Sequence, residues 1–320
     1  MIVFYCSKCK KILTWESARA YCDTCGFNLI LQSEIWRDLG VEEEVDKDFY
    51  DNIYKTEKGL DWFQGLNRGK LKAILEKISI SYVRERFFKK WLKGNNNLIL
   101  DLACGAGREY FSNYGDVVGV DLSMEALQIA KKRYKSVLQS GVNNLPFSDN
   151  SFDYIISSDF FGHVRNEDKD RIISEIYRVL KPGGVTLHLI ETDSKNIWFR
   201  IAHRSPDLFQ KYFIEKIGGH IGLEMPNECV ERFKHNNFNI VKATKIWGLI
   251  WPIRYYCDMF DNEYLEKSWL IKVFVFASRL ICKVKIVEVL INILFTPINW
   301  LVESVTPINH GQGLFVVAKK

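Results

Sequence analysis

The chain has 320 residues, 47% of them hydrophobic and 26% charged, with a formal net charge of +5. That apolar share excludes a disordered chain, and the length allows one large domain or two to three smaller ones. The slight positive excess comes without the lysine- and arginine-rich block of a nucleic-acid-binding tail. Met1 leads straight into IVFYC, with neither a basic segment nor an apolar stretch before a cleavage site, so the expectation is a cytoplasmic protein.

Four of the eight cysteines, Cys6, Cys9, Cys22 and Cys25, form two CxxC pairs twelve residues apart, whereas Cys104, Cys229, Cys257 and Cys282 are scattered singly. This is metal-site spacing rather than a disulfide framework. Residues 1–32 therefore read as a small ribbon with short apolar strands (FYC, LILQ), and Gly26 supplies permissive backbone after the second pair. Four thiolates leave no open coordination position, so the metal is expected to be structural: zinc by default, iron in a rubredoxin-like site as the alternative.

Residues 33–97 read as a charged helical linker or lid: EEEVDKDFYDNIY, KLKAILEKI and YVRERFFKKWLK carry apolar residues at three-to-four spacing, and Gly94 to Asn97 mark a boundary. Over 98–248 strand and helix patterns alternate: LILDLA, then YFSNY; VVGVDL, then MEALQIAKKRY; SVLQSG; FDYIISSD, then KDRIISEIYRVL; VTLHLIE. Such alternation predicts parallel strands with helices on both faces. A helix (CVERFKHNN), a strand (FNIVKATKIWG), an apolar insertion over 249–308 and a last strand in 309–320 (GLFVVAKK) follow.

The stretch LILDLACGAGREYF is a buried strand ending on Asp101, a turn through Ala103, Gly105 and Gly107, and a helix start; Asp121 follows twenty residues after Asp101, at the end of VVGVD. This is the arrangement for a nucleoside-bearing cofactor at the carboxyl edge of an open α/β sheet, with Asp121 accepting the ribose hydroxyls. The turn lacks the third glycine of GxGxxG, and the carboxylate at the strand end favours a cationic ligand such as the sulfonium and amino group of S-adenosylmethionine.

LDLACGAGRE, VVGVDLSMEALQIAKKR, NNLPFSDNSFDYIISSDFFGHV and EIYRVLKPGG together resemble the class I S-adenosylmethionine-dependent methyltransferases, in the group of small-molecule enzymes with LPFxDxSFD and LKPGG signatures. The resemblance implies a seven-stranded, Rossmann-like, doubly wound α/β sheet whose antiparallel last strand is inserted next to the edge. It places Asp101, Ala103, Gly105 and Gly107 around the methionine part, Asp121 on the ribose, and Leu122 and Ser123 beside it, while Met124 reads equally as adenine contact or helix packing. Where the family writes an acid-Ala pair before LPF, this chain has Gly141-Val142, so adenine recognition is expected from backbone near Val142 and a water.

Methyl transfer from a sulfonium needs donor and acceptor held collinear and dry, with a base where the acceptor is a hydroxyl or an acidic carbon. Asp159 and His163 lie just past the fourth strand, and Asp159 is counted with both the cofactor and the catalytic groups; Glu191 and Thr192 end the fifth strand, and His188 inside it reads as a core histidine. His220 precedes the helix under the sixth strand, and His310 precedes the last strand; both are candidates to face the pocket, with capping or turn roles as the alternative.

The insertion has no uncharged run longer than Val289 to Val302, which reads as too short to span a bilayer. Lys272, Arg279 and Lys283 fall on one helical face, so residues 268–303 fit either a packed lid or an interfacial contact with a membrane surface. Both ends of the insertion emerge at the cofactor edge, and an apolar roof suits an apolar or lipid-linked acceptor. The reading is a cytoplasmic, membrane-apposed methyltransferase. Its rivals are an rRNA or tRNA methyltransferase docking RNA through a ribbon that carries only Lys8, Lys10, Lys11 and Arg19, and a binding module without chemistry, since Gly141 and Gly162 stand where the family writes acids.

Overall fold

A computed structural model describes residues 4–38, 83–211, 219–248, 250–259 and 269–320. The stretches EEEVDKDFYDNIY and KLKAILEKI lie outside the described residues.

The apolar runs of the chain's centre become five parallel strands: β5 (Asn97–Leu102), β6 (Gly115–Asp121), β7 (Ser136–Gln139), β8 (Phe152–Ser158) and β9 (Leu180–Glu191). Their middles are buried, as expected of strands covered on both faces. Two later strands, β10 (Asn239–Ile246) and β11 (Gly313–Lys319), complete that side, β11 lying between β9 and β10 and antiparallel to both. On the other side β1 (Thr14–Glu16), β2 (Arg19–Tyr21), β3 (Asn28–Gln32) and β4 (Ile35–Asp38) form an antiparallel meander. Trp36 and Arg37 of β4 pair in parallel with Leu138 and Gln139 of β7, so the eleven strands of the described residues make one mixed sheet in the order β1-β2-β3-β4-β7-β6-β5-β8-β9-β11-β10.

This corrects the boundary expected at residue 32, because the segment assigned to a helical linker begins with a strand that splices the ribbon into the main sheet. The ribbon also docks sideways. Tyr5 N–H donates to the Pro146 carbonyl at 3.0 Å, and Phe4 packs against Phe147 and Trp36 with ring centroids 5.8 and 5.2 Å away.

Helices α1 (Val83–Trp91), α2 (Met124–Ala130) and α3 (Asn166–Val179) cover the sheet. Phe87 and Phe88 of α1 pack on Phe315 of β11, and Phe88 also meets Phe111. Ile172, Ile173 and Ile176 of α3 fill the opposite face together with the helix α4 (Pro226–His235) that precedes β10. After the glycine turn the chain makes a 3₁₀ helix over Glu109–Tyr114 instead of an α-helix: the segment is only six residues long and ends at Gly115, whose Cβ position would fall on the Asn97 backbone. The LPF and EIYRVLKPGG signatures hold each other. Arg178 donates to the carbonyls of Leu145 and Phe147 and pairs with Asp149 and Glu175, while Glu175 accepts from Leu145 N–H.

The insertion forms α5 (Ile253–Met259), α6 (Trp269–Cys282) and α7 (Lys285–Val305). By length and composition α7 is long enough and apolar enough to cross a membrane, at 21 residues or about 31 Å. The count of uncharged residues fell short because the helix continues through Lys285, Glu288 and Glu303.

Candidate active site

The site assembles where the parallel strands end, the edge at which open α/β sheets bind ligands. Asp101, near the end of β5, is buried and accepts a hydrogen bond from Tyr134 Oη at 2.6 Å; Tyr134 Oη in turn accepts from Arg108 N–H at 2.6 Å. Burial pushes the Asp101 carboxyl up to about 7, against the opposing pull of Tyr134 and Arg108. Gly107 and Gly119 make this arrangement sterically feasible, since a Cβ on either would fall 3.0 or 2.9 Å from the Tyr134 ring. Gly105 and Gly107 adopt positive φ, and so does Ala103 at 51°.

Asp121 ends β6 and is held by the turn itself. Gly105 N–H donates to its Oδ2 and Ser123 N–H to its Oδ1, each at 2.8 Å. Ser123 is buried and its hydroxyl caps α2 by accepting from Ala126 N–H. Met124 is half-buried and packs against the core. Gln139 at the end of β7 donates to the Leu122 carbonyl at 2.9 Å and Ser140 N–H to the Asp121 carbonyl at 3.2 Å; the half-buried Gly141, Val142 and Asn143 follow. Asn143 Oδ1 is buried without a hydrogen-bond partner.

A second group gathers past β8 and β9. Asp159 sits at φ 59°, one of the few non-glycine residues in the left-handed region, and its Oδ2 accepts from Arg84 of α1 and from Ser158 Oγ. Arg108 of the glycine turn approaches the same oxygen at 4.0 Å, so the two groups adjoin. Burial, reinforced by the charge on Glu191 and opposed by the two arginines, pushes Asp159 up to about 6; its Oδ1 is buried and unpartnered. Glu191 is the opposite case: burial raises it, but His220 and His163 outweigh burial and hold it down.

His163, Glu191 and His220 present ligand atoms within 4.8 Å of one another, with the two imidazole rings 4.6 Å apart. Gly162 makes room for them, because a Cβ there would lie 3.2 Å from Glu191 Oε2 and 3.1 Å from the His220 ring.

His310 stands apart from that trio. Its Nδ1 is buried without a partner, and its carbonyl accepts weakly from Asn196. Thr192 instead fastens the end of β9 to Gly311 and Gln312. His188 is fully buried against Ser157 and Thr186, and burial lowers it to about 3.

Sequence reasoning missed Arg84, Tyr134 and the pairing function of Arg108. Arg108 directly follows the turn, which was a usable signal; Arg84 and Tyr134 reach the site from distant segments with no local motif.

In the ribbon, Cys6 Sγ lies 3.2 Å from Cys25 Sγ, and Cys9 Sγ lies 3.3 and 3.8 Å from Cys22 and Cys25. The two knuckles have matching backbones: Lys10 and Gly26, each just after a second cysteine, both take positive φ, and their N–H groups donate to the Cys6 and Cys22 carbonyls.

Comparison with known proteins points to one enzyme family. The family model of a methyltransferase domain matches residues 100–188. The demethylmenaquinone methyltransferase of Lactobacillus johnsonii is 33% identical over 177 residues, covering 51% of this chain and 69% of the relative. That of Listeria welshimeri is 32% identical over 155 residues, covering 40% of this chain, and this chain spans 64% of that relative's length. Among solved structures, phosphoethanolamine N-methyltransferase 2 of Haemonchus contortus shares the fold at TM-score 0.51 and 22% identity, covering 86% of this chain and 60% of that one. A glycine turn flanked by Asp101 and Asp121, and family similarity running through that turn and beyond it, make this chain a member of the S-adenosylmethionine-dependent methyltransferases.

Proposed function

We propose that the chain transfers a methyl group from S-adenosylmethionine to a small apolar or lipid-linked acceptor, working against a membrane surface. The observation that carries the reading is the pair of carboxylates, Asp101 and Asp121, fixed on either side of one glycine turn. When bound, the cofactor supplies an electrophilic methyl group on a cationic sulfur. Asp101 favours that cation and the amino group. Asp121 accepts the ribose hydroxyls with oxygens already oriented by Gly105 and Ser123. Asn143 Oδ1, buried and unpartnered, offers the adenine amino group the acceptor that the missing acid would have provided. Asp159 lies past β8, and a carboxyl raised toward neutrality suits the removal of a proton from an acidic hydroxyl or carbon.

The acceptor class follows from the insertion and from the demethylmenaquinone methyltransferases to which the chain is similar. Helix α7 is inside out. Glu288, Asn292, Thr296 and Asn299 are buried, with Glu288 paired to Arg254 and Asn292 Oδ1 accepting from Ile253 N–H, whereas Leu290, Leu294, Leu301 and Val305 are exposed. Helix α6 presents Trp269, Val273, Phe276 and Leu280 in a second exposed stripe, with Lys272 and Arg279 beside it. Two apolar stripes, that of α6 flanked by cations, match the surface of an anionic bilayer and lie along it rather than through it. The four cysteines suit a structural zinc, since sulfurs 3.2 to 3.8 Å apart approach the edges of a tetrahedron with zinc–sulfur bonds of about 2.3 Å.

The test supplies labelled cofactor and a demethylated quinol in anionic vesicles. Label extracted into chloroform is the expected result, abolished in Asp121→Ala. Label that enters added RNA instead, or no transfer with vesicles or with cell extract, overturns the reading.

A further inference from the structure

We infer that His163, Glu191 and His220 bind a divalent first-row transition ion, zinc by default, in a second metal site distinct from the four-cysteine ribbon. The three side chains come from three segments: the turn after β8, the end of β9, and the loop before α4. Their donor atoms lie within 4.8 Å of one another, and His220 Nε2 is 3.7 Å from Glu191 Oε1. Glu191 Oε2 is buried with no hydrogen-bond partner, an acceptor removed from water and left for something to satisfy.

The backbone is built to hold this group in place. Gly222 N–H donates to the Gly162 carbonyl at 3.0 Å, joining the His220 loop to the His163 turn. A Cβ at Gly222 would lie 1.7 Å from the Val164 carbonyl oxygen, so only glycine permits that approach. The same loop is anchored by Glu224, which accepts from Lys169 at 2.9 Å and pairs with Arg232 at 2.5 Å.

Two imidazoles and one carboxylate, with positions left open, form the donor set of catalytic zinc and related ions. Magnesium and calcium prefer all-oxygen sites, so nitrogen donors select against them. The ribbon site is closed by four sulfurs, and the two differ in chemistry as well as place. That the open positions receive an acceptor oxygen rests on the methyl-transfer reading; the binding of the ion does not.

The experiment titrates cobalt into the full chain after the ribbon has been filled with one equivalent of zinc. One further equivalent is expected, with weak ligand-field absorption and no thiolate-to-cobalt charge-transfer band. Glu191→Gln and His220→Asn are expected to lose at least about tenfold in cobalt affinity, the lower bound set by changes in residues that merely support a ligand. Metal analysis of the unaltered chain, expected to give two ions per chain, needs no variant to fold. One ion per chain, a charge-transfer band on the second equivalent, or variants that bind cobalt like the parent would overturn the assignment. A chain that binds the second ion yet transfers no methyl group would overturn the functional reading alone.

Discussion

Ala103 is held at φ 51° in the turn where the cofactor's methionine end is expected, and alanine pays for that conformation while glycine does not. Ala103→Gly is therefore predicted to move the urea midpoint upward by an amount equivalent to about 0.5–1 kcal/mol, offset in part by the freer unfolded chain. Asp101 gives a pH signature. Its carboxyl is raised in the fold to about 7, so the folded state binds its proton more tightly than the unfolded chain does. That contribution to stability is complete below the unfolded value near 4 and is lost as pH climbs to about 7. Asp101→Asn should flatten the fall in stability over this window, measured by denaturant unfolding. Uptake of a cationic cofactor, followed by calorimetry, should strengthen as pH rises through 7 in the parent and stay level in the variant. Asp101 and Asp121 were readable because a strand, a turn and an acid twenty residues on form a local pattern. Tyr134, which donates to Asp101 from 33 residues away, was not, because an Oη near a carboxylate is a product of tertiary folding.

The elements that frame the His163, Glu191 and His220 group depend on a few contacts of high consequence. Gly222→Ala would drive a methyl group into the Val164 carbonyl, and the His220 loop must move to relieve it. Thermal unfolding should register a loss of about 1–3 kcal/mol, the usual cost of forced repacking. Glu224→Gln is expected to cost more, about 3–5 kcal/mol, since Lys169 would be left buried beside an uncharged amide. The alternation of strands and helices was legible because buried parallel strands are continuous apolar runs and their helices carry a polar face. Helix α7 resisted the same logic. Its polar residues Glu288, Asn292, Thr296 and Asn299 face inward, and a reader who assumes that apolar means buried assigns its faces the wrong way round.

Across the whole molecule, backbone hydrogen bonds join the ribbon to the catalytic sheet, through β4 on β7 and Tyr5 on Pro146. With the proposed zinc in the four-cysteine site, a chelator should therefore lower the melting temperature of the entire chain in a single transition; a separate early transition confined to the ribbon would contradict this. The four-cysteine spacing was evident from the sequence, but its splice into the main sheet was not, because Trp36 and Arg37 meet Leu138 and Gln139 through backbone groups that carry no residue signature. The splice also decides where the sheet stops. Among the described strands its two free borders fall at the three-residue β1 and at β10, which is bulged between Ile240 and Lys242 and bears Lys242 in the open. Neither border of the described sheet gives another chain a long flat template, a form that disfavours edge-to-edge strand addition across its eleven strands.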